Sequence, residues 1–292
     1  MPTVGVARTM IDETVEEIAE MQTHSSSVVA VKAARALGDL TEREFATVEE
    51  YERSLERNAK ALQRASPSHA SLHNAMRDVV DAVSDADSGD VTAAQTATTD
   101  AIESVVETIE SGKRNAAANA AEYLEDGQTI LTHDYSSTVL EAVEAATQDG
   151  KYFDAYVTEA RPRYLGRKTA RTLAAIDRID AHLCTDSAAG YYLEECDLVA
   201  VGMDCIVDDT LYNRVGTFPI AATAARMDVP VVVVGSASKI IDGGFVFENE
   251  FRSPSEVMRE PAEGFTVENP AYDATPTDLV DAVITDDGIR EY

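Results

Sequence analysis

Tryptophan is absent and positive charge is scarce: the 292 residues include six lysines and eighteen arginines against 53 aspartates and glutamates, a formal net charge of −29. That deficit excludes nucleic acid as a bulk electrostatic partner, because a protein that neutralises phosphates needs surplus Lys and Arg. Long apolar runs are missing too. The strongest, Val229 to Gly235, falls far short of the roughly 18 residues of a membrane-spanning helix, so no membrane association is expected. The first residues, MPTVGVARTMIDETVEEIAEM, turn acidic and amphipathic where an export signal needs a basic start and an apolar stretch, and a cytoplasmic protein is expected. Only three cysteines occur, Cys184, Cys196 and Cys205, at spacings of twelve and nine. Neither a disulfide framework nor a paired zinc knuckle follows, and all three read as small buried hydrophobes. With no G-x-G-x-x-G after a strand and no G-x-x-x-x-G-K-[ST], dinucleotide binding and P-loop phosphoryl transfer lack their cradles, and no cofactor is expected.

What is present is a globular composition, 45% apolar and 26% charged, with enough hydrophobic side chains for one large or two modest cores. The first 125 residues read as successive amphipathic helices. Ile11, Val15, Ile18 and Met21 recur at helical spacing, as do Phe45, Val48, Tyr51, Leu55 and Leu62, then Leu72, Met76, Val79 and Val83. The polar stretch Ser84 to Asp90 reads as a loop, and a further helix through Ile102, Val105 and Ile109 is expected to break at Ser111-Gly112 before an Ala-rich run. From Gly127 the period changes. Short β-branched runs at 129–133, 152–157, 179–184, 198–203 and 229–235 alternate with helical stretches from Thr138, Gly166, Ala188 and Thr217. This is the βαβ alternation of a parallel sheet covered on both faces. The expected fold is α/β, a helical amino-terminal domain (1–125) followed by a Rossmann-like doubly wound domain (126–292), with ligands beyond the carboxyl ends of the strands.

Three basic loops fall at that edge. Arg161, Arg163, Arg167 and Lys168 follow one strand and open a helix, which suits an anion; equally, these cations pair with neighbouring carboxylates. Asn213 and Arg214 precede a Gly-Thr in which Thr217 is expected to cap the next helix, with Pro219 in its first turn. Lys239 follows the Val-rich strand. Together they suggest a phosphate or carboxylate pocket. His69 and His73 stand four apart on a helix but lack a following Glu and a third ligand, so no metal site is expected.

The segments ILTHDYSSTVLEA (130–142), EARPRYLGRKTA (159–170), DSAAGYYLEECDLVAVGMDCI (186–206), NRVGTFPIA (213–221) and NPAYDATPTDLVDAVITDDGI (269–289), with THSSSVVAVKAARAL (23–37), resemble the translation initiation factor 2B alpha/beta/delta superfamily. That superfamily includes sugar-phosphate aldose–ketose isomerases as well as regulatory subunits without chemistry. The resemblance implies a dimer or dimer-based oligomer and ligand contacts at Arg161, Arg163, Lys168, Asn213, Arg214 and Lys239. It places Asp134 where isomerases carry a Cys, and Thr210 at the position matched to their Asp. Two further arginines of the isomerases fall at His24 and Ser66. These departures favour a non-catalytic subunit that senses a phosphorylated small molecule; the alternative is a ribose 1,5-bisphosphate isomerase-like enzyme in which Asp134, with Asp208 or Asp209, replaces the usual pair. A subunit that only completes a larger complex is the third reading.

The spread of acidic residues along the whole chain fits a salt-rich cytoplasm, where counter-ions screen self-repulsion. Circular dichroism across a KCl series is expected to show structure lost as salt falls towards dilute buffer; full structure at every KCl concentration would contradict this.

Overall fold

Helices form wherever the apolar stripe recurs: α1 (Met10–Glu20), α2 (Ser26–Leu37), α3 (Val48–Ala65), α4 (Ala70–Asp85) and α5 (Val91–Tyr123). The computed structural model describes residues 10–20, 26–241, 246–260 and 263–291. Thr47 caps α3 by accepting from the Glu50 amide at 3.2 Å, and the Glu50 carboxylate accepts in return from the Ala46 amide at 3.0 Å, a variant of the capping box. Ile11, Ile18, Val29, Leu37, Leu55, Leu62, Leu72, Met76 and Val79 make the core of this helical unit. Its buried Tyr51 hydroxyl donates to Thr98 Oγ1 at 2.6 Å, so the one polar atom of a core aromatic is satisfied.

The chain divides into units Met1–Glu110 and Ser111–Tyr292, so the division falls inside α5, not after residue 125. The expected break at Ser111-Gly112 does not occur. One glycine costs a helix interior only about 1 kcal/mol relative to alanine, too little to end it. Gly112 has a packing reason instead: a Cβ there would meet Ser236 Oγ at 2.6 Å and Asp286 Oδ2 at 2.9 Å.

The second unit continues with β1 (Gln128–His133), α6 (Ser137–Gln148), β2 (Phe153–Thr158), α7 (Gly166–Leu173), β3 (Ile179–Cys184), α8 (Ala189–Tyr192), β4 (Leu198–Gly202), β5 (Cys205–Val207), β6 (Thr210–Arg214), α9 (Thr217–Arg226), β7 (Val231–Val234), β8 (Ile240–Ile241), α10 (Pro254–Val257), β9 (Tyr272–Pro276), β10 (Ala282–Thr285) and β11 (Gly288–Glu291). Among the described residues the main sheet has seven strands in the order β11-β10-β7-β4-β1-β2-β3, parallel except for β11. Alternate residues feed two cores. Ile130, Ala155, Val157, Ala200, Val232 and Val234 pack on one side with α6 and the end of α5, whereas Leu131, Val199, Val201, Val231 and Val233 pack on the other with α9. The sheet is therefore doubly wound, as its β-branched runs imply.

A second sheet, order β8-β5-β6-β9, has no counterpart in the expected fold; β5 and β6 lie between β4 and α9, and β8 and β9 join them from after β7. Its strands are two to five residues long, too short for a periodic signal. Among the described residues no helix is long and apolar enough to cross a membrane.

Gly166 starts α7 against the end of β2, where a Cβ would lie 1.8 Å from the Thr158 carbonyl oxygen. Gly166→Ala must push helix and strand apart, and is expected to cost about 3 kcal/mol or more. Denaturant titration in high salt should show a lower midpoint with unchanged slope.

Candidate functional site

The chain enters the main sheet at β1, runs outwards to β3, then returns to the other side of β1 as β4. The order reverses between β1 and β4, and the loops leaving their carboxyl ends diverge and open a crevice. His133 and Asp134 end β1; Met203 and Asp204 follow β4. All four are buried.

His133 is clamped. Its Nε2 lies 2.9 Å from the Val215 carbonyl oxygen, which can only accept, so Nε2 carries the hydrogen and Nδ1 accepts from the Thr158 hydroxyl at 2.6 Å. Gly216 faces this ring at φ +113°, where a Cβ would stand 2.6 Å from the imidazole; only glycine satisfies both the conformation and the contact. Asp273 Oδ2 accepts from the amides of Gly216 (2.7 Å) and Phe218 (3.1 Å) and so caps α9. Thr217 is not the cap: it is the first helical residue, its hydroxyl donating to the Arg214 carbonyl at 2.7 Å and accepting from Asn213 Nδ2 at 3.0 Å. Asn213 is thus committed to bracing the turn.

That turn aims Arg214 at Asp134, with Nε 3.4 Å from Oδ2. Asp134 has φ +60°, a left-handed conformation that aspartate tolerates better than most residues, and its carbonyl accepts from the Thr169 hydroxyl at 2.6 Å. Burial pushes the Asp134 carboxyl up; Arg214 and His133 oppose that, Asp204 adds to it and Arg252 opposes it. Burial works against the Arg214 charge, yet Asp204, Tyr272, Asp134 and Glu250 reverse this and hold its pKa above the ordinary arginine value. Lys239, buried beside Asp204, donates to the Met203 carbonyl at 2.8 Å, and burial pulls its pKa down against the pull of Asp204. Asp134, Arg214, Asp204 and Lys239 form one buried, alternating charge cluster at the crevice.

Register adds a second arginine. Arg214 pairs with Tyr272 across β6 and β9, and its guanidinium lies over that ring at 4.8 Å; Arg252 faces the same ring at 5.8 Å. The Arg252 side chain is 5% exposed, with Nε 3.6 Å from Glu250, too long for a hydrogen bond. Arg214 Nη1 and Arg252 Nε and Nη2 are buried without a hydrogen-bond partner among the described residues. Orphaned guanidinium donors of two mutually repelling cations mark a place for an anion.

The basic loop behaves differently. Arg163 makes a bidentate pair with Glu256 (2.8 and 3.2 Å), and Arg167 pairs with Glu159 at 2.8 Å while lying over Tyr164. Burial would raise Glu256, but Arg163, Asn269 and Arg252 outweigh it and hold that carboxyl low. Arg161 donates to the Val257 carbonyl at 3.2 Å, and Lys168 lies over Tyr135 at 3.8 Å. Arg163 and Arg167 thus pair with carboxylates, one of the two roles open to them.

Thr210 starts β6, four residues or about 13 Å of strand from Arg214, and the exposed Asp208 and Asp209 form the preceding turn. The buried carboxyl whose charge acts on both Asp134 and Arg214 is Asp204, six residues earlier than Thr210. Its position directly after the switch strand was a usable signal; Arg252, isolated in a loop, had none. Ser66 closes α3, and His24 lies outside the described residues. Cys196 and Cys205 are buried, but Cys184 is only half-buried. Burial pushes the thiols up, Cys184 to about 11 and Cys196 to about 12, which leaves them unreactive.

Comparison with known proteins agrees with this architecture. The chain is 33% identical over 287 residues to a ribose 1,5-bisphosphate isomerase of Haloferax volcanii, covering 95% of this chain and 88% of that protein. It is 34% identical over 292 residues to the enzyme of the same name from Haloterrigena turkmenica, covering 94% and 88%. Among solved structures, the translation initiation factor eIF-2B of Pyrococcus horikoshii OT3 superposes with a TM-score of 0.81 at 25% identity over 97% of both chains. Residues 22–291 match the model of the initiation factor 2 subunit family, and the chain belongs to that family.

Proposed function

We propose that the protein is an aldose–ketose isomerase acting on a phosphorylated pentose of the ribose 1,5-bisphosphate type. The observation that carries the reading is the set of buried, partnerless guanidinium donors on Arg214 and Arg252 beside two buried carboxyl groups. Relatives named ribose 1,5-bisphosphate isomerase, at 33 and 34% identity over nearly the whole chain, support the enzyme over the non-catalytic subunit that the residue departures favoured. Assembly as a homodimer in a salt-rich cytoplasm is part of the same proposal, supported by the family resemblance and the acidic composition.

In this reading Arg214, Arg252 and Lys239 hold substrate phosphate and oxygen atoms, with Arg161, Arg163, Lys168 and Asn213 shaping the surrounding loops. Moving the carbonyl from C1 to C2 requires one group that takes a proton and another that delivers one. Asp134, whose burial favours the protonated form, serves as the acid. Asp204, in the field of Lys239 and Arg214, serves as the base. Thr210 takes no part, because it has no carboxyl group and lies at the far end of β6.

The protein in high salt is expected to convert ribose 1,5-bisphosphate to ribulose 1,5-bisphosphate. Asp204→Asn should lower kcat by about 10² to 10⁴ with little change in KM. Arg252→Ala removes a buried charge-assisted contact worth about 1.5 to 3 kcal/mol and should raise KM roughly ten- to a hundred-fold. The acid must be protonated to act, so kcat should fall as pH rises through the raised pKa of Asp134, and Asp134→Asn should abolish that limb. Phosphate binding without turnover would instead support the sensor reading, which the Asp134–Arg214 ion pair at the isomerases' Cys position favours. Neither turnover nor binding would sink both.

A further inference from the structure

Away from the crevice, β2 and β3 form the outer edge of the main sheet, and their parallel register places Asp154 directly beside Asp180. Successive same-face residues lie two apart along a strand, so His182 follows Asp180 on that face and stands opposite Tyr156. One donor atom from each of Asp154, Asp180 and His182 lies within 4.8 Å of the other two. Two carboxylates directly opposite each other repel. Among the described residues nothing offsets that cost, since none of the three side chains has a hydrogen bond or ion pair. Arg178, the nearest cation of the neighbouring cavity, is turned away: it donates to the Gly150 carbonyl at 3.1 Å and lies 4.6 Å over the Tyr152 ring.

The imidazole is held in place. It stacks on Tyr156 at 4.8 Å and 22°; Tyr156 stacks in turn on Tyr192 and donates its hydroxyl to Glu195 at 2.8 Å. Asp154 and Asp180 also line an open cavity of about 400 Å³ with Gly127, Tyr152 and Arg178, which gives an ion a path from solvent. Ligands bonded at about 2.0 to 2.2 Å to one tetrahedral ion stand about 3.4 Å apart, so small side-chain rotations would close the triad. An imidazole nitrogen with two carboxylate oxygens suits borderline transition metals, whereas an all-oxygen set would suit magnesium or calcium.

We propose that Asp154, Asp180 and His182 form a binding site for a divalent transition-metal ion of the zinc class, separate from the crevice. The site completes three-quarters of a tetrahedral shell and leaves a position for water. It also removes the repulsion between the paired aspartates, so the metal is expected to raise the stability of the second unit.

The test is titration of the full chain with Co²⁺ in high KCl and excess Mg²⁺, followed by visible absorption and calorimetry, with Zn²⁺ as competitor. One saturable site per chain is expected, weakening at least about tenfold in His182→Ala and in Asp180→Asn. Asp177→Asn, which alters a neighbouring exposed acid outside the triad, should leave it unchanged. Circular dichroism of metal-free variants separates loss of a ligand from loss of fold. Absence of saturable binding, or equal binding by wild type and a folded His182→Ala, would mean diffuse counter-ion uptake by the acidic surface and overturn the proposal.

Discussion

Charges held out of water must be held against each other, and the crevice is organised by that requirement. Asp134, Arg214, Asp204 and Lys239 are withdrawn from solvent at the point where strand order reverses. Desolvation of such ions costs several kcal/mol each, and removing one partner of a buried pair costs about 3 to 5 kcal/mol because the other is left uncompensated. The alternation of acid and base keeps the set together: Asp204 sustains both Lys239 and Arg214, and Arg214 opposes the burial penalty on Asp134.

Such a cluster needs backbone elements that arrive from different directions with little freedom. β1 brings Asp134, the end of β4 brings Asp204, and the second sheet brings Arg214 and Tyr272 as registered partners. His133 ties two of these together. Its Nε2–H to the Val215 carbonyl fixes the turn after Arg214, and Gly216 can lie against the ring only because it has no side chain. The same turn receives Asp273 from β9, so the α9 cap and the arginine position are set by one network.

A chain of net charge −29 and a withdrawn pair of arginine side chains, Arg214 and Arg252, meet different electrostatic conditions. Outside, dissolved ions screen the carboxylates from one another, the more so as ionic strength rises. Inside, screening ions are excluded, so the repulsion between Arg214 and Arg252 persists and favours an anionic ligand. Cations of the exposed loop, by contrast, are neutralised by local carboxylates, as Arg163 is by Glu256 and Arg167 by Glu159.

Periodicity alone was enough for the helical first half and for β1 to β4 and β7, because both patterns depend on residues close in sequence. Where a signal was local but weak it misled: Gly112 reads as a helix break but is a packing contact, and Thr217 reads as a cap although Asp273, 56 residues later, does the capping. Arg214 and Lys239 stand out in the sequence as cations near strand ends, and the fold places Arg214 at the end of β6 and Lys239 after β7. Asp204, Arg252 and the Asp154–Asp180–His182 triad were not recognised, since each gains its meaning from neighbours distant in the chain. Strand pairing and sheet insertion, which bring such residues within a few ångströms, are decided by burial of the whole core and are written in no single segment.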